Sequence, residues 1–149
     1  MSVGEICNRE VVIVDRDESI LDAARLMRKH HVGDVVVVTQ KAGQRVPVGI
    51  LTDRDIVIEL LAREVDLDAV SIGDAMSYEL LALREGDDRL DAVKRMREKG
   101  VRRAPVVNDD GALVGILAVD DLIELLTEQL SDLVALMGRE REQERKRHP

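Results

Sequence analysis

The 149-residue sequence contains no Phe and no Trp, and Tyr78 is its one aromatic residue. Without aromatic faces on which bases stack, a platform for single-stranded nucleic acid is excluded. Cysteine is equally scarce: Cys7 alone allows no intramolecular disulfide and no cysteine zinc cluster, as suits a reducing cytoplasm. Positive charge is in deficit, with 22 Lys and Arg against 30 Asp and Glu. The formal net charge of −8 gives no overall basic field to attract nucleic acid or an anionic membrane surface. No apolar run approaches the roughly 18 residues that signal a membrane span, and Met1 to Glu5 lack the basic region and apolar core of an export signal. These absences predict a cytoplasmic protein with neither nucleic acid nor membrane as partner. What is present is a composition 45% hydrophobic and 35% charged, enough for a buried core under a charged surface.

The chain repeats itself. Val3-Gly4-Glu5-Ile6-Cys7-Asn8 matches Ile72-Gly73-Asp74-Ala75-Met76-Ser77, and Leu21-Asp22-Ala23-Ala24-Arg25-Leu26-Met27-Arg28 matches Leu90-Asp91-Ala92-Val93-Lys94-Arg95-Met96-Arg97, at an offset of about 69 positions. The offset shortens only at one turn, where Thr39 to Pro47 is longer than Asn108 to Leu113, after which Gly49-Ile50-Leu51 meets Gly115-Ile116-Leu117.

Each copy reads strand, helix, strand, turn, strand, helix. The first strands are expected at Val11 to Val14 and Leu80 to Leu83, and helices capped by Ser19 and Asp88 follow. Val35 to Val38 and Ala104 to Val107 then form hairpins with strands ending at Leu51 and Leu117. Second helices are expected from Asp53 and Val119, with stripes at Ile56, Val57, Leu60, Leu61 and at Leu122, Ile123, Leu125, Leu126. Three strands and two helices bury too little alone, so the reading is an α/β (α+β) fold of two β-α-β-β-α repeats packed about a pseudo-two-fold axis, with two related clefts at the junction. The boundaries are residues 1–70 and 71–130, joined by a short polar tether at 63–71, with a C-terminal extension over 131–149.

Gly49-Ile50-Leu51-Thr52-Asp53-Arg54-Asp55 carries the chemistry. It stands where a strand ends and a helix begins. Free N–H groups at the helix start and the Thr52 hydroxyl suit a phosphate, while ionised Asp55 can accept from both hydroxyls of a ribose. Asp53 and Arg54 belong to the same candidate site, and aliphatic residues such as Ile13, Val36 and Ile50 offer flat walls for a base. The Thr52 to Asp55 spacing is also that of a helix capping box, which is commoner than a nucleotide site. The second copy discriminates in part: Ala118 cannot cap, yet Asp121 is still there, although a helix-dipole role would explain that acid too. Arg102 and Arg103 stand opposite Gly33 and Asp34 in the alignment, and Arg103 suits a phosphate whereas Asp34 repels one. A plain solvated role for both arginines is the alternative.

At these residues the chain resembles the cystathionine-β-synthase (CBS) domain family, as a CBS pair or Bateman module spanning roughly residues 3 to 127. The likeness rests on the paired openings, the helices ending in Met27-Arg28 and Met96-Arg97, and the signature Gly-hydrophobic-x-Thr/Ser-x-x-Asp, which copy one fits in full. Within that family it is similar to small stand-alone bacterial CBS-pair proteins, including the hypoxic response protein type, through Leu51 to Ile58 and Val101-Arg102-Arg103. The resemblance implies that Thr52 and Asp55 contact phosphate and ribose of an adenosine-type ligand such as AMP, ADP or ATP, with no cofactor required. It implies a second site kept only in part, with Asp121 for the ribose, which is either empty or leans on Arg103. A non-catalytic regulatory homodimer signalling to a separate effector protein is the functional reading; the alternative is a scaffold whose clefts are filled by side chains. A nucleotide-metabolising enzyme is disfavoured because no general base, nucleophile or metal cluster accompanies the cleft.

His30 and His31 end the first helix, where an imidazolium complements the dipole, and Cys7 reads as a small buried apolar residue at the Met76 position. The last helix is expected to run on through Leu126, Leu130, Leu133, Val134 and Met137, to break at Gly138, and to leave a solvated, frayed tail, although a helical dimer contact is the other reading.

Overall fold

The computed structural model describes residues 1–148; Pro149, the end of the expected tail, lies outside them. The first repeat comprises α1 (Val3–Ile6), β1 (Ile13–Asp15), α2 (Ile20–His30), β2 (Asp34–Lys41), β3 (Gln44–Thr52) and a π-helix (Asp55–Leu61). A 3-10 turn at Leu67–Ala69 leads to the second, with α3 (Ile72–Ala75), β4 (Leu83–Arg84), α4 (Arg89–Lys99), β5 (Arg103–Val107), β6 (Leu113–Ala118) and α5 (Val119–Arg147). Each repeat builds a three-stranded sheet, β1-β2-β3 or β4-β5-β6, with the first pair parallel and the second antiparallel. Even the irregularities repeat: the hairpins slip register between Val37 and Val38 and between Val106 and Val107. The expected caps form, since Ser19 Oγ accepts from Asp22 N at 3.0 Å and Asp88 Oδ2 accepts from Leu90 N at 3.0 Å. No helix among the described residues is long and apolar enough to cross a membrane.

The repeats do not merely pack together; they exchange their openings. Val3 of α1 is fully buried in the second core, with Leu83, Ala104, Val106 and Leu117. Ile72 of α3 and the following Met76 are buried in the first, with Val14, Val35 and Leu51. Backbone bonds follow the same exchange, as Gly4 N donates to Glu85 O at 2.8 Å while its counterpart Gly73 N donates to Arg16 O at 3.0 Å. Asn8 N likewise donates to Ile116 O at 2.9 Å, and Ser77 N to Ile50 O at 3.0 Å. Contacts matched in this way across the two copies describe a pseudo-two-fold axis.

Two glycines make the exchange sterically possible. A Cβ on Gly49 would lie 2.6 Å from Met76 Sδ and 2.8 Å from Ser77 O, and one on Gly115 would lie 2.7 Å from Cys7 Sγ and 2.9 Å from Asn8 O. This explains why Cys7 and Met76 occupy equivalent positions: each lies across the glycine of the opposite hairpin. Cys7 is half-buried rather than buried, and desolvation pushes its thiol above the usual range, against the opposing pull of Arg9.

Several expectations are corrected. The first strands begin later than Val11 and Leu80: Val11, Val12, Leu80 and Leu81 precede them and line the clefts, although Val12 O still accepts from Val36 N of β2 at 3.0 Å. Copy one's second helix is π-wound from Asp55, with Ala62 N bonded to Val57 O at 2.9 Å. The wider turn moves the apolar stripe, so Leu60 is buried and Ile56 half-buried while Val57 and Leu61 face out. In copy two Leu122 is buried and Leu125 half-buried, but Ile123 and Leu126 are exposed. The turn difference extends a hairpin instead of a loop: β2 and β3 pair out to Lys41 and Gln44, and Ala42 and Gly43 turn with φ of 52° and 77°. Finally, α5 does not break at Gly138, for the helix continues to Arg147, and its C-terminal part is solvated as expected, every residue from Leu126 to Arg147 being exposed. One glycine costs a helix only about 1 kcal/mol, which its neighbours override.

Candidate functional site

The junction holds two clefts related by the pseudo-two-fold axis. Cleft one, of about 470 Å³, has three walls: Ile50 and Thr52–Asp55 from the first repeat, Ser77 and Glu79 to Leu81 from the second, and Val101 to Arg103 beside the axis. Cleft two, of about 250 Å³, has the mirrored walls, with Ile116, Ala118 and Asp121 facing Asn8, Glu10 to Val12, and His31 to Asp34. Small-molecule sites commonly occupy about 300–1,000 Å³, which favours the first cleft.

Thr52 and Asp55 form the capping box in full. Asp55 N donates to Thr52 Oγ1 at 3.0 Å, and Thr52 N donates to Asp55 Oδ2 at 3.0 Å. Capping and cleft lining are therefore not rivals, because both side chains also line cleft one. The Thr52 hydroxyl accepts in the cap, so its own proton is left to donate, and Asp55 Oδ1 accepts nothing from the described residues. The expected cradle of free N–H groups is corrected, however. Thr52 N and Asp55 N are consumed by the cap, Asp53 N donates to Gly33 O at 2.9 Å, and Arg54 N donates to Asp53 Oδ1 at 2.7 Å. Positive charge for an anion comes instead from side chains, namely Arg54, Arg102 and Arg103.

The other expected residues divide. Asp53, Arg54 and Ile50 line cleft one, Asp121 and Val36 line cleft two, and Arg103 lines both. Ile13 lines neither, since it lies on β1, the strand at the far edge of the sheet from β3. The apolar wall expected from Ile13 and Val36 is supplied across the axis by Leu80, Leu81 and Val101. Sequence reading missed these three together with Ser77 and Glu79, and a run such as Leu80-Leu81 gave no signal, because it looks the same in sequence whether it pairs in a sheet or lines a cleft. His31 ends α2 with φ of 53° and lines cleft two, a position beyond the dipole role expected for it.

Asp34 and Arg103, equivalent residues of the two repeats, meet where the clefts adjoin and line both. Arg103 Nε lies 3.3 Å from Asp34 Oδ2 without hydrogen-bond geometry, so that buried oxygen has charge contact but no donor. Burial raises the Asp34 carboxyl above the ordinary carboxylate range, Arg103 opposes the rise and nearby Asp53 adds to it. Arg102 pairs with Asp120 at 3.2 Å. Cleft one thus combines three arginines with the acids Asp34, Asp53, Asp55 and Glu79, whereas cleft two sets one arginine and His31 against Glu10, Asp34, Asp120 and Asp121. An anionic ligand is better matched by the first.

The sequence model of the CBS domain matches residues 3–62 and again 72–128. The chain belongs to the CBS domain family. As a CBS pair it is 37% identical over 125 residues to an uncharacterised protein of Methanopyrus kandleri, covering 84% of this chain but 62% of that longer protein. The solved structure of hypoxic response protein I, with two coordinated zinc ions, is 30% identical with a TM-score of 0.72, over 83% of this chain and 98% of that one. Among the described residues here, no three His, Cys, Asp or Glu side chains gather as metal ligands. The CBS domain pair of protein MJ0100, solved with 5-methylthioadenosine and S-adenosyl-L-methionine, shares the fold at 23% identity, with a TM-score of 0.74 over 87% of this chain and 98% of that one.

Proposed function

We propose that this CBS pair is a cytoplasmic, non-catalytic regulatory module that holds one adenine nucleotide, AMP, ADP or ATP, or a related adenosyl ligand, in cleft one and signals to a separate effector protein. The observation that carries the reading is the placement of the Thr52 hydroxyl and the unoccupied Asp55 Oδ1 on one wall of a cleft that also holds three arginines. In this reading Asp55 accepts from the ribose hydroxyls, Thr52 donates to the phosphate, and Arg54, Arg102 and Arg103 neutralise it. The base lies between Ile50 and the aliphatic wall of Leu80, Leu81 and Val101, in a cleft that no aromatic side chain lines. Cleft two lacks the hydroxyl at Ala118 and is the weaker site for an anion. Support from outside the chain is the adenosyl complex of the MJ0100 pair, which shares this fold.

Thermal unfolding with AMP, ADP, ATP, NADH and S-adenosylmethionine tests the proposal. A ligand at 100 times its dissociation constant stabilises by about 2.7 kcal/mol, and that increment is expected to vanish in Asp55→Ala once the variant's own lost cap is subtracted. If no ligand stabilises the wild type, the clefts belong to a scaffold; if one is turned over, the protein is an enzyme.

A further inference from the structure

We infer that Asp34 is a specificity-determining residue of cleft one, which limits the ligand to a nucleoside monophosphate and disfavours the di- and triphosphate. In the nucleotide reading on which this rests, the phosphate lies against Thr52, Arg54, Arg102 and Arg103. Two of those three arginines already face a carboxylate. Arg103 Nε stands 3.3 Å from Asp34 Oδ2, and Arg102 Nη2 stands 3.2 Å from Asp120 Oδ1. Among the described residues, only Arg54 of the three has no acid within ion-pair distance. The lining of the cleft itself sets Asp34, Asp53, Asp55 and Glu79 against the arginines, so negative charge is in slight excess before any ligand enters.

The two ion pairs differ in what they release. The Arg102 and Asp120 side chains are 73% and 60% exposed, so solvent screens their attraction and Arg102 can turn to a phosphate at little cost. The Asp34 side chain is 9% exposed, its Oδ2 accepts no hydrogen bond, and Arg103 is its one ion-pair partner among the described residues. Drawing Arg103 away would strand a buried carboxylate, which costs far more than parting an exposed pair. Arg103 therefore stays with Asp34, and its charge is largely offset when a phosphate arrives. Asp53 adds negative charge at the same end: its Oδ2 lies 3.1 Å from where a Cβ on Gly33 would stand, beside Asp34 in the chain. A monophosphate brings about two negative charges at neutral pH, which Thr52, Arg54 and Arg102 can hold. Every further phosphoryl group adds charge that meets Asp34 and Asp53 instead of a free cation.

Isothermal titration calorimetry of the full chain with AMP, ADP and ATP tests this, with EDTA present so that no divalent cation offsets the phosphate charge. At low salt the wild type is expected to bind AMP roughly tenfold more tightly than ATP, with ADP between them. A preference set by charge shrinks at high salt, whereas one set by space does not. Asp34→Asn frees Arg103 and removes a negative charge, so ATP is expected to gain roughly fivefold in affinity and AMP less, which narrows the gap. The salt series on the wild type reads the same charge effect without any substitution. ATP bound as tightly as AMP by the wild type would overturn the inference, and so would a preference for AMP that neither salt nor Asp34→Asn alters; both results leave nucleotide binding itself in place. If none of the three nucleotides binds, the nucleotide reading fails, and the role of Asp34 fails with it.

Discussion

Asp34 and Arg103 stand 69 positions apart in equivalent strands and meet beside the axis, so a difference between the copies becomes an ion pair. Asp34 is 8% exposed, and its carboxyl is raised chiefly by burial, with Arg103 opposing and Asp53 reinforcing. A folded-state value above the unfolded one means that the folded chain binds this proton more tightly. Ionised Asp34 therefore opposes folding near neutrality, and the penalty fades as pH falls through the raised value. Removing Arg103 leaves the buried charge uncompensated, so Arg103→Ala should cost roughly 1–3 kcal/mol at pH 7 and less at pH 5, measured by urea unfolding at each. Asp34→Asn should be at least as stable as wild type at pH 7 and should remove that pH dependence; a cost equal at both values would show that Arg103 acts by packing alone. At this scale Thr52, Asp55 and Arg103 were legible as cleft residues because the repeat isolates them as differences or signatures. Leu80, Leu81 and Val101 were not, since their use depends on an approach across the axis that no local period encodes.

At the scale of elements, α2 and α4 were legible with their caps, because side-chain spacing and cap chemistry are local. β1 and β4 were read too long, because valines and leucines that line a cleft look the same in sequence as those that pair in a sheet. The π-winding after Thr52 left no signal in residue spacing, and the uninterrupted α5 shows a long helix overriding one glycine. The two helix starts differ in one atom that matters: Thr52 supplies a capping oxygen, whereas Ala118 begins α5 with no side-chain cap. Asp121 already occupies the position equivalent to Asp55. Ala118→Thr should thus rebuild the box of the first repeat and stabilise the protein by about 1 kcal/mol. The half-buried site lines cleft two, so the larger side chain has space. Urea unfolding measures the gain, and an unchanged or lowered midpoint would mean that Asp121 is held away from the helix start.

The whole molecule is governed by the exchange of openings, which was legible only as a requirement that two small sheets share their burial. Alignment reveals that residues 3–8 and 72–77 are alike, but not that each lies in the opposite core; Gly49 and Gly115 encode it, through the crossing contacts that a Cβ would block. Each hydrophobic cluster is then completed by a segment belonging, in sequence, to the other repeat. Ile72 shows the consequence: it is fully buried against β2 and β3 of the first repeat although it opens the second. Ile72→Ala should cost about 2–5 kcal/mol, as for other large buried aliphatics. Because neither core is complete without the other repeat, native-state hydrogen exchange should lose protection by one common increment in Val35 to Val38 and in Ala104, Val106 and Val107, and a single unfolding transition should persist. Loss confined to the first sheet would mean that each repeat unfolds on its own and that the exchanged segments are surface straps; loss confined to the second would mean that Ile72 contributes nothing to the core it occupies.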